Sequence, residues 1–265
     1  VKGRRILAST EGEFQSALVG RRKALVVGAS SGIGAALARR LAAEGFDLAL
    51  VARRLPQLQS LCDELAQAHG IRALAYQHDV QETAAVEGLV ETIARDLGGL
   101  DLFVYAAGIM FPHDPNAYDT ENDLRTLRVN TLGAIAWCNP IALRFAQAEQ
   151  GQIVGLASIA GDRGRRAIPA YAASKAALDT YLEALRNRLT RFGVTVTTIK
   201  AGQVDTDMLK NAAAVRGPIS PERAAELIWR AIRGRKQVVY IPWRWALIGW
   251  IVRHVPSFIF RRLNL

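Results

Sequence analysis

The sequence predicts a single α/β domain. Short apolar runs that read as buried strands alternate with helix-period segments almost throughout, the order that builds a sheet covered by helices. No Pro/Ser/Gly-rich linker, low-complexity tract or internal repeat divides the 265 residues. Half of them are apolar, enough for one large core.

Lys23 to Val27 is the first buried strand. It runs into Gly28-Ala29-Ser30-Ser31-Gly32-Ile33-Gly34, and a helical pattern follows from Ala35 to Glu44, closed by Gly45. Strand, glycine-rich turn and helix set a helix N-terminus against a diphosphate, and small residues let backbone N–H groups approach it. Gly28, Ser30, Ser31, Gly32, Ile33 and Gly34 are therefore candidate nucleotide contacts; the alternative is a tight connection alone. Asp47 to Ala52 is the second strand, ending in Arg53-Arg54. An acidic residue there binds a ribose 2′-hydroxyl, whereas arginine accommodates a 2′-phosphate. No carboxylate is near in sequence. Arg53 and Arg54, with Ser30 as a second phosphate ligand, thus favour NADP over NAD; two solvated arginines at a helix start is the plainer reading.

Pro56 to Gly70 reads as a helix and Ile71 to Gln77 as the third strand. Asp79, followed by Val80, is a candidate for the adenine end of a cofactor or for the N-cap of a helix from about Glu82 to Leu97. His78 is expected to be an ordinary loop histidine. Leu100 to Tyr105 is the fourth strand, and the small Ala107 and Gly108 after it let the backbone lie against a cofactor. Asp119 to Ala148 is a long helical region containing Asn130, and Gly151 to Ser158 is the fifth strand. The helix from Ala170 to Phe192 carries Tyr171 and Lys175, four apart and so on one face. A hydroxyl at a strand end, facing a phenol and an ammonium, can move a proton at a carbonyl or alcohol oxygen. Val194 to Lys200 is the sixth strand. A loop through Gly202, Val204 and Thr206 leads to a short helix, with a mobile stretch expected through Gly217-Pro218. Ser220 as N-cap and Pro221 in the first turn open another helix, and Val238 to Tyr240 is the last strand.

The net charge is +10, and eight basic residues without an acid lie between Leu227 and the end. Four of the five tryptophans are there too. A basic, Trp-rich end suits an anionic partner or a lipid headgroup region, or packing on a neighbouring subunit. Its longest uninterrupted apolar stretch, Trp245 to Val252, has eight residues, against about 20 for a membrane span. Cys62 and Cys138 lack metal or disulfide spacing and read as two free thiols in a reducing compartment. No metal site and no nucleic-acid motif is found. Residues 1 to 22 read as an extension before the domain, without the apolar core of a signal peptide.

Taken together, Gly28…Gly32-Ile33-Gly34, Asp79, Ala107-Gly108, Asn130, Ser158, Tyr171-x-x-x-Lys175 and Gly202-x-Val204-x-Thr206 resemble the short-chain dehydrogenase/reductase family, in its order and spacing. The chain departs from that pattern at Val27, Ala106 and Ala201, where the family usually has Thr, Asn and Pro. The resemblance implies a Rossmann-type, doubly wound parallel sheet of about seven strands over residues 23–240. It implies NADP(H)-dependent oxidoreduction of a carbonyl or secondary alcohol. Tyr171 would be the proton donor, Ser158 would polarise the substrate oxygen, Lys175 would bind the nicotinamide ribose and lower the Tyr171 pKa, and Asn130 would hold a relay water. A homo-oligomer, dimer or tetramer, is expected in the cytoplasm. Residues 160–166, 202–204 and 253–262 further resemble reductases of decaprenylphosphoryl keto-pentose. That resemblance implies a polyprenyl-phosphate-linked keto-sugar as substrate; another hydrophobic ketone, or a non-catalytic NADP-binding role, is the alternative. The arginines and tryptophans of 241–265 suit peripheral membrane contact, packing on the core or a neighbouring subunit being the alternative.

Overall fold

The computed structural model describes residues 20–111, 116, 118–212, 215 and 217–263; most of the expected N-terminal extension lies outside them. Seven parallel strands form one sheet in the order β3-β2-β1-β4-β5-β6-β7. They are β1 (Lys23–Val27), β2 (Asp47–Ala52), β3 (Ala73–Gln77), β4 (Leu102–Tyr105), β5 (Gln152–Ser158), β6 (Thr195–Ala201) and β7 (Val238–Ile241). The helices are α1 (Gly32–Ala43), α2 (Leu55–His69), α3 (Val86–Leu97), α4 (Thr120–Leu127), α5 (Gly133–Gln147), α6 (Pro169–Leu189), α7 (Pro221–Arg233), α8 (Arg244–His254) and α9 (Ser257–Phe260).

Side chains alternate across each strand, and the core divides accordingly. Val26, Leu48, Leu50, Val104 and Val154 face α1, α2 and α7 in one cluster. Leu25, Val27, Val51, Phe103 and Ile153 face α3, α5 and α6 in the other. Buried on both faces, the inner strands are apolar runs rather than alternating ones. Strand order reverses between β1 and β4, so the crevice beyond their C-terminal ends is the topological switch point where such sheets bind ligands.

Several expected boundaries move, each for a local reason. The first helix begins at Gly32 rather than Ala35, because Ala35 N–H already bonds the Ser31 carbonyl. The third strand begins at Ala73 rather than Ile71, since Arg72 N–H goes to Asp47 Oδ1 at 2.9 Å. The expected helix over 119–148 is interrupted by a π-turn, Arg128–Leu132, that carries Asn130; Asp119 caps its first part by accepting from Asn122 N–H at 3.0 Å. Asp79 is not the N-cap of α3. Its Oδ1 accepts from Gln81 N–H two residues on, and a 3-10 turn, Thr83–Ala85, precedes the helix. His78 is no ordinary loop residue either. It is buried edge-on against Trp137, and that burial lowers its pKa.

The two cysteines are free and buried. Burial pushes the Cys62 thiol up to about 11 and the Cys138 thiol up to about 12, which leaves both unreactive. Part of the segment expected to be mobile, residues 213, 214 and 216, lies outside the described residues.

Candidate active site

The site lies at the C-terminal ends of β1, β4, β5 and β6. At Gly28 the chain turns with φ +89°, and a Cβ there would lie 2.5 Å from Ala107 N. Only glycine fits such a conformation pressed on another backbone. A Cβ on Gly34 would lie 2.2 Å from the Gly28 carbonyl, so α1 sits tight on the turn. Ser31 is the N-cap but makes no side-chain cap bond. Its hydroxyl instead accepts from Arg54 Nη2 at 2.6 Å, and Ser30 Oγ accepts from the same guanidinium at 2.9 and 3.2 Å. One cation and two hydroxyls therefore crowd the outer side of the turn.

Arg53 and Arg54, equivalent in the sequence, part here. Arg53 Nη1 lies 3.9 Å from Asp79 Oδ2, so a carboxylate distant in sequence is close in space. Arg54 is the arginine on the turn. Ile33 packs against the first core cluster, and Val80 is buried in the second.

Gly108 marks the point of convergence. A Cβ there would lie 3.4 Å from Asn130 Oδ1, 3.4 Å from Lys175 Nζ and 3.8 Å from Met208 Cε. Asn130 is fully buried. Its Oδ1 accepts from Ile109 N–H at 2.8 Å, and its Nδ2 donates to the Ile109 carbonyl and Ser174 Oγ at 2.9 and 3.0 Å. Both Nδ2 hydrogens are committed, so the side chain clamps the loop after β4 to α6. A π-turn frequently marks a functional position.

Tyr171 and Lys175 share one face of α6, with Lys175 Nζ 5.8 Å from the phenol ring centre. Lys175 is 4 % exposed. Its ammonium donates to the Leu156 carbonyl at 2.8 Å, and burial depresses its pKa to about 8. Ser158 closes β5, where its Oγ accepts from Ala160 N–H at 3.1 Å and donates to the Ala201 carbonyl at 3.2 Å. Burial raises the Tyr171 pKa, while the Ser158 side chain and the positive charge of Arg165 pull it down. The resemblance assigns that pull to Lys175, whose ammonium lies 5.8 Å from the ring centre; Arg165, half-buried on the loop before α6, adds its own positive charge.

Thr206 reaches back to the glycine turn, its Cγ2 3.1 Å from the Cβ position of Gly32. Gln203 and Asp205 pair with Ile219 through backbone bonds of 3.2 and 2.8 Å. By strand alternation the N–H and C=O of Val204 face the opposite side, where the carbonyl accepts from Thr206 Oγ1 at 3.4 Å.

Sequence reasoning missed how the C-terminal segment joins this site. Gly202 ends its strand against the Trp245 indole of α8: a Cβ at 202 would lie 2.0 Å from Trp245 Nε1. Ser158 pairs in register with Ala201, one residue earlier, so Trp245 stands close to the catalytic candidates. The loop after Ser158 holds α8 in place. Asp162, with its side chain fully buried, takes Lys200 at 2.6 Å, Arg253 at 3.1 Å and the Tyr240 hydroxyl at 3.2 Å. Lys200 also pairs with Asp179 at 2.7 Å. Burial acts to lower the Lys200 pKa, but the two carboxylates more than offset it and leave it raised. Arg163 donates to the Val252 carbonyl at 2.7 Å and to that of Val255 at the end of α8, and lies 4.0 Å over the Phe260 ring. It satisfies carbonyls a helix end leaves open.

The eight basic residues do not form one patch. Arg230 and Arg233 lie in the last turn of α7 and Arg235 and Lys236 in the turn entering β7, at the opposite end of the parallel strands from α8; Arg244, Arg253, Arg261 and Arg262 lie at the site's end. Sequence distance alone carried no sign of that division.

Comparison with known proteins agrees with this geometry. The family model described as short chain dehydrogenase matches residues 22–216. An uncharacterized oxidoreductase of Myxococcus xanthus (strain DK1622) is 35% identical over 241 residues, covering 90% of this chain and 94% of the relative. A short-chain dehydrogenase from Sphingobium yanoikuyae, solved in complex with NADPH, superposes with a TM-score of 0.78 at 26% identity, covering 89% of this chain and 97% of the other. A variant of actinorhodin polyketide ketoreductase with NADPH superposes at 0.76 and 26% identity, covering 83% and 95%. Fold, site and relatives converge: the chain belongs to the short-chain dehydrogenase/reductase family of oxidoreductases.

Proposed function

We propose that this protein is an NADP(H)-dependent reductase of a carbonyl group, able to run in reverse on the secondary alcohol. The observation that carries the reading is the meeting of Ser158, Tyr171, Lys175 and Asn130 at the Gly108 end of the glycine-turn crevice. The residues fit the cofactor. Gly28 lets the turn press on Ala107 so that the α1 N-terminus would face the diphosphate, Arg54 with Ser30 and Ser31 offers the 2′-phosphate a charge-assisted cradle, and the Val204 N–H would offer a donor to the carboxamide. The two NADPH-bound structural relatives support the same choice. When bound, the nicotinamide supplies or accepts the hydride.

The chain's own groups handle the proton. Ser158 holds the substrate oxygen and Tyr171 gives it a proton in reduction or takes one in oxidation. Arg165, and Lys175 in its charged form, stabilise the phenolate left behind. Asn130 holds the loop at Gly108 in place.

The finer reading concerns the substrate. The carbonyl is carried by a lipid-like or lipid-linked molecule met at the cytoplasmic membrane surface, a polyprenyl-phosphate-linked keto-sugar being one such molecule. Support comes from the three stretches 160–166, 202–204 and 253–262. They meet beside the site through Arg163, Arg253 and the Gly202–Trp245 contact, so an apolar, basic segment walls the substrate side. Homo-oligomeric assembly belongs to the same proposal.

The test is NADPH oxidation with a panel of ketones and keto-sugars. Turnover should fall by about 10²- to 10⁴-fold in Tyr171→Phe while NADPH binding persists. A purified protein that neither binds NADPH nor turns over any ketone would overturn the reading. Turnover unchanged by Tyr171→Phe would overturn the assignment of Tyr171, and NADPH binding without any turnover would favour a regulatory role.

A further inference from the structure

Helix α8 is apolar on two sides, and only one of them meets the protein. At 100° per residue, Trp245, Ala246, Gly249 and Val252 form the half-buried or buried side turned to the fold. Trp243, Leu247 and Trp250 recur at i, i+4 and i+7 on the opposite side, 79%, 59% and 62% exposed. Ile251, Phe258 and Ile259 are largely exposed as well. More than half of the large exposed apolar side chains among the described residues therefore lie after Pro242. A solvent-facing helix side ordinarily carries charge; a contiguous apolar patch marks an interaction surface.

We propose that this outward side of α8, with the segment after it, docks the protein on a membrane surface containing anionic lipid. Charge chooses the occupant. Arg244, Arg261 and Arg262 are exposed, and no acidic residue occurs after Glu226. A second copy meeting the same face across a two-fold axis would set arginine against arginine with no acid in the segment to pair them. An anionic headgroup layer supplies the missing charge, and tryptophan suits its apolar–polar boundary. No helix among the described residues is long and apolar enough to cross a membrane, so the segment lies on the surface. Arg163 and Asp162 tie this segment to the loop that follows Ser158, so the docked face would turn the substrate side of the site toward the lipid. The inference deepens the lipid-side reading of the substrate above and rests on it for its purpose, though not for its measurement.

The experiment is flotation of the purified protein with vesicles of phosphatidylcholine and phosphatidylglycerol, against phosphatidylcholine alone, with sedimentation velocity in parallel. The protein should float with the mixed vesicles and lose binding as salt rises. A triple variant, Trp243→Ser, Leu247→Ser and Trp250→Ser, should remain in the lipid-free fraction while binding NADPH as the parent does. Arg261→Gln with Arg262→Gln should weaken partitioning about 25-fold, from about fivefold for each basic residue near an anionic surface. The proposal is overturned if the parent fails to float, or if the serine variant floats equally well. It is also overturned if the parent sediments as an oligomer without vesicles and the serine variant dissociates it, which would make the face a contact between copies. None of these readouts needs turnover, so a failure here leaves the reductase reading standing, and an inactive enzyme leaves the docking result readable.

Discussion

Lys175 offers a sharp energetic prediction, because it is a charged group held in a costly place. Burial lowers its pKa from the ordinary 10.5 to about 8. At about 1.4 kcal/mol per tenfold, that costs the folded state about 3 kcal/mol wherever both states carry the proton. The cost is complete below pH 8. Between pH 8 and 10.5 the folded protein sheds the proton before the unfolded chain does, so the cost shrinks, and above 10.5 it is gone. Lys175→Met keeps most of the volume and removes the charge. It also removes the charged donor's bond to the Leu156 carbonyl, worth about 2 kcal/mol. We therefore predict that Lys175→Met stabilises the protein by about 1 kcal/mol at pH 7 while suppressing turnover, and that the gain disappears as pH approaches 10.5. Urea unfolding followed by tryptophan fluorescence at matched ionic strength measures both. A variant less stable than the parent at pH 7, or a difference that stays flat with pH, would refute the reasoning.

Other outcomes follow from the same contacts. Arg54→Ala should weaken NADPH binding by about 10- to 100-fold, the range of lost charge-assisted hydrogen bonds, with NADH little changed; titration with each cofactor separates them. Gly202→Ala must displace the Trp245 indole, at a cost of about 1–3 kcal/mol. Trp245→Ala in the same chain should recover part of that loss in thermal unfolding. Arg165→Gln removes a cation acting on the phenol, so the rising acid-side limb of alcohol oxidation should move to higher pH; an unmoved profile would exclude Arg165 from the proton chemistry.

Much of the site was legible because its spacing is local. Tyr171 and Lys175 share a helix face at any tertiary arrangement, and Gly28 to Gly34 describe a turn whatever lies beyond it. Other features required the fold. Arg53 and Arg54 are indistinguishable until β3 brings Asp79 beside one and the turn brings Ser30 and Ser31 beside the other. Arg163 and Arg165 are two residues apart, yet Arg163 caps the end of α8 and Arg165 acts on Tyr171. Gly202 read only as part of a cofactor motif, and its steric need comes from an indole 43 residues further on.

The sequence by itself determined the alternating parallel architecture, the glycine turn and the Ser158, Tyr171 and Lys175 trio, because strand burial, turn sterics and helical periodicity act over a few residues. Only the tertiary structure decided which cations face which anions and where residues 241–263 go. Those outcomes depend on Lys200, Asp162, Asp179, Tyr240 and Arg253 meeting from five separate segments. Coulomb energy depends on distance in space and on the dielectric around each pair, and neither is written in the order of the residues.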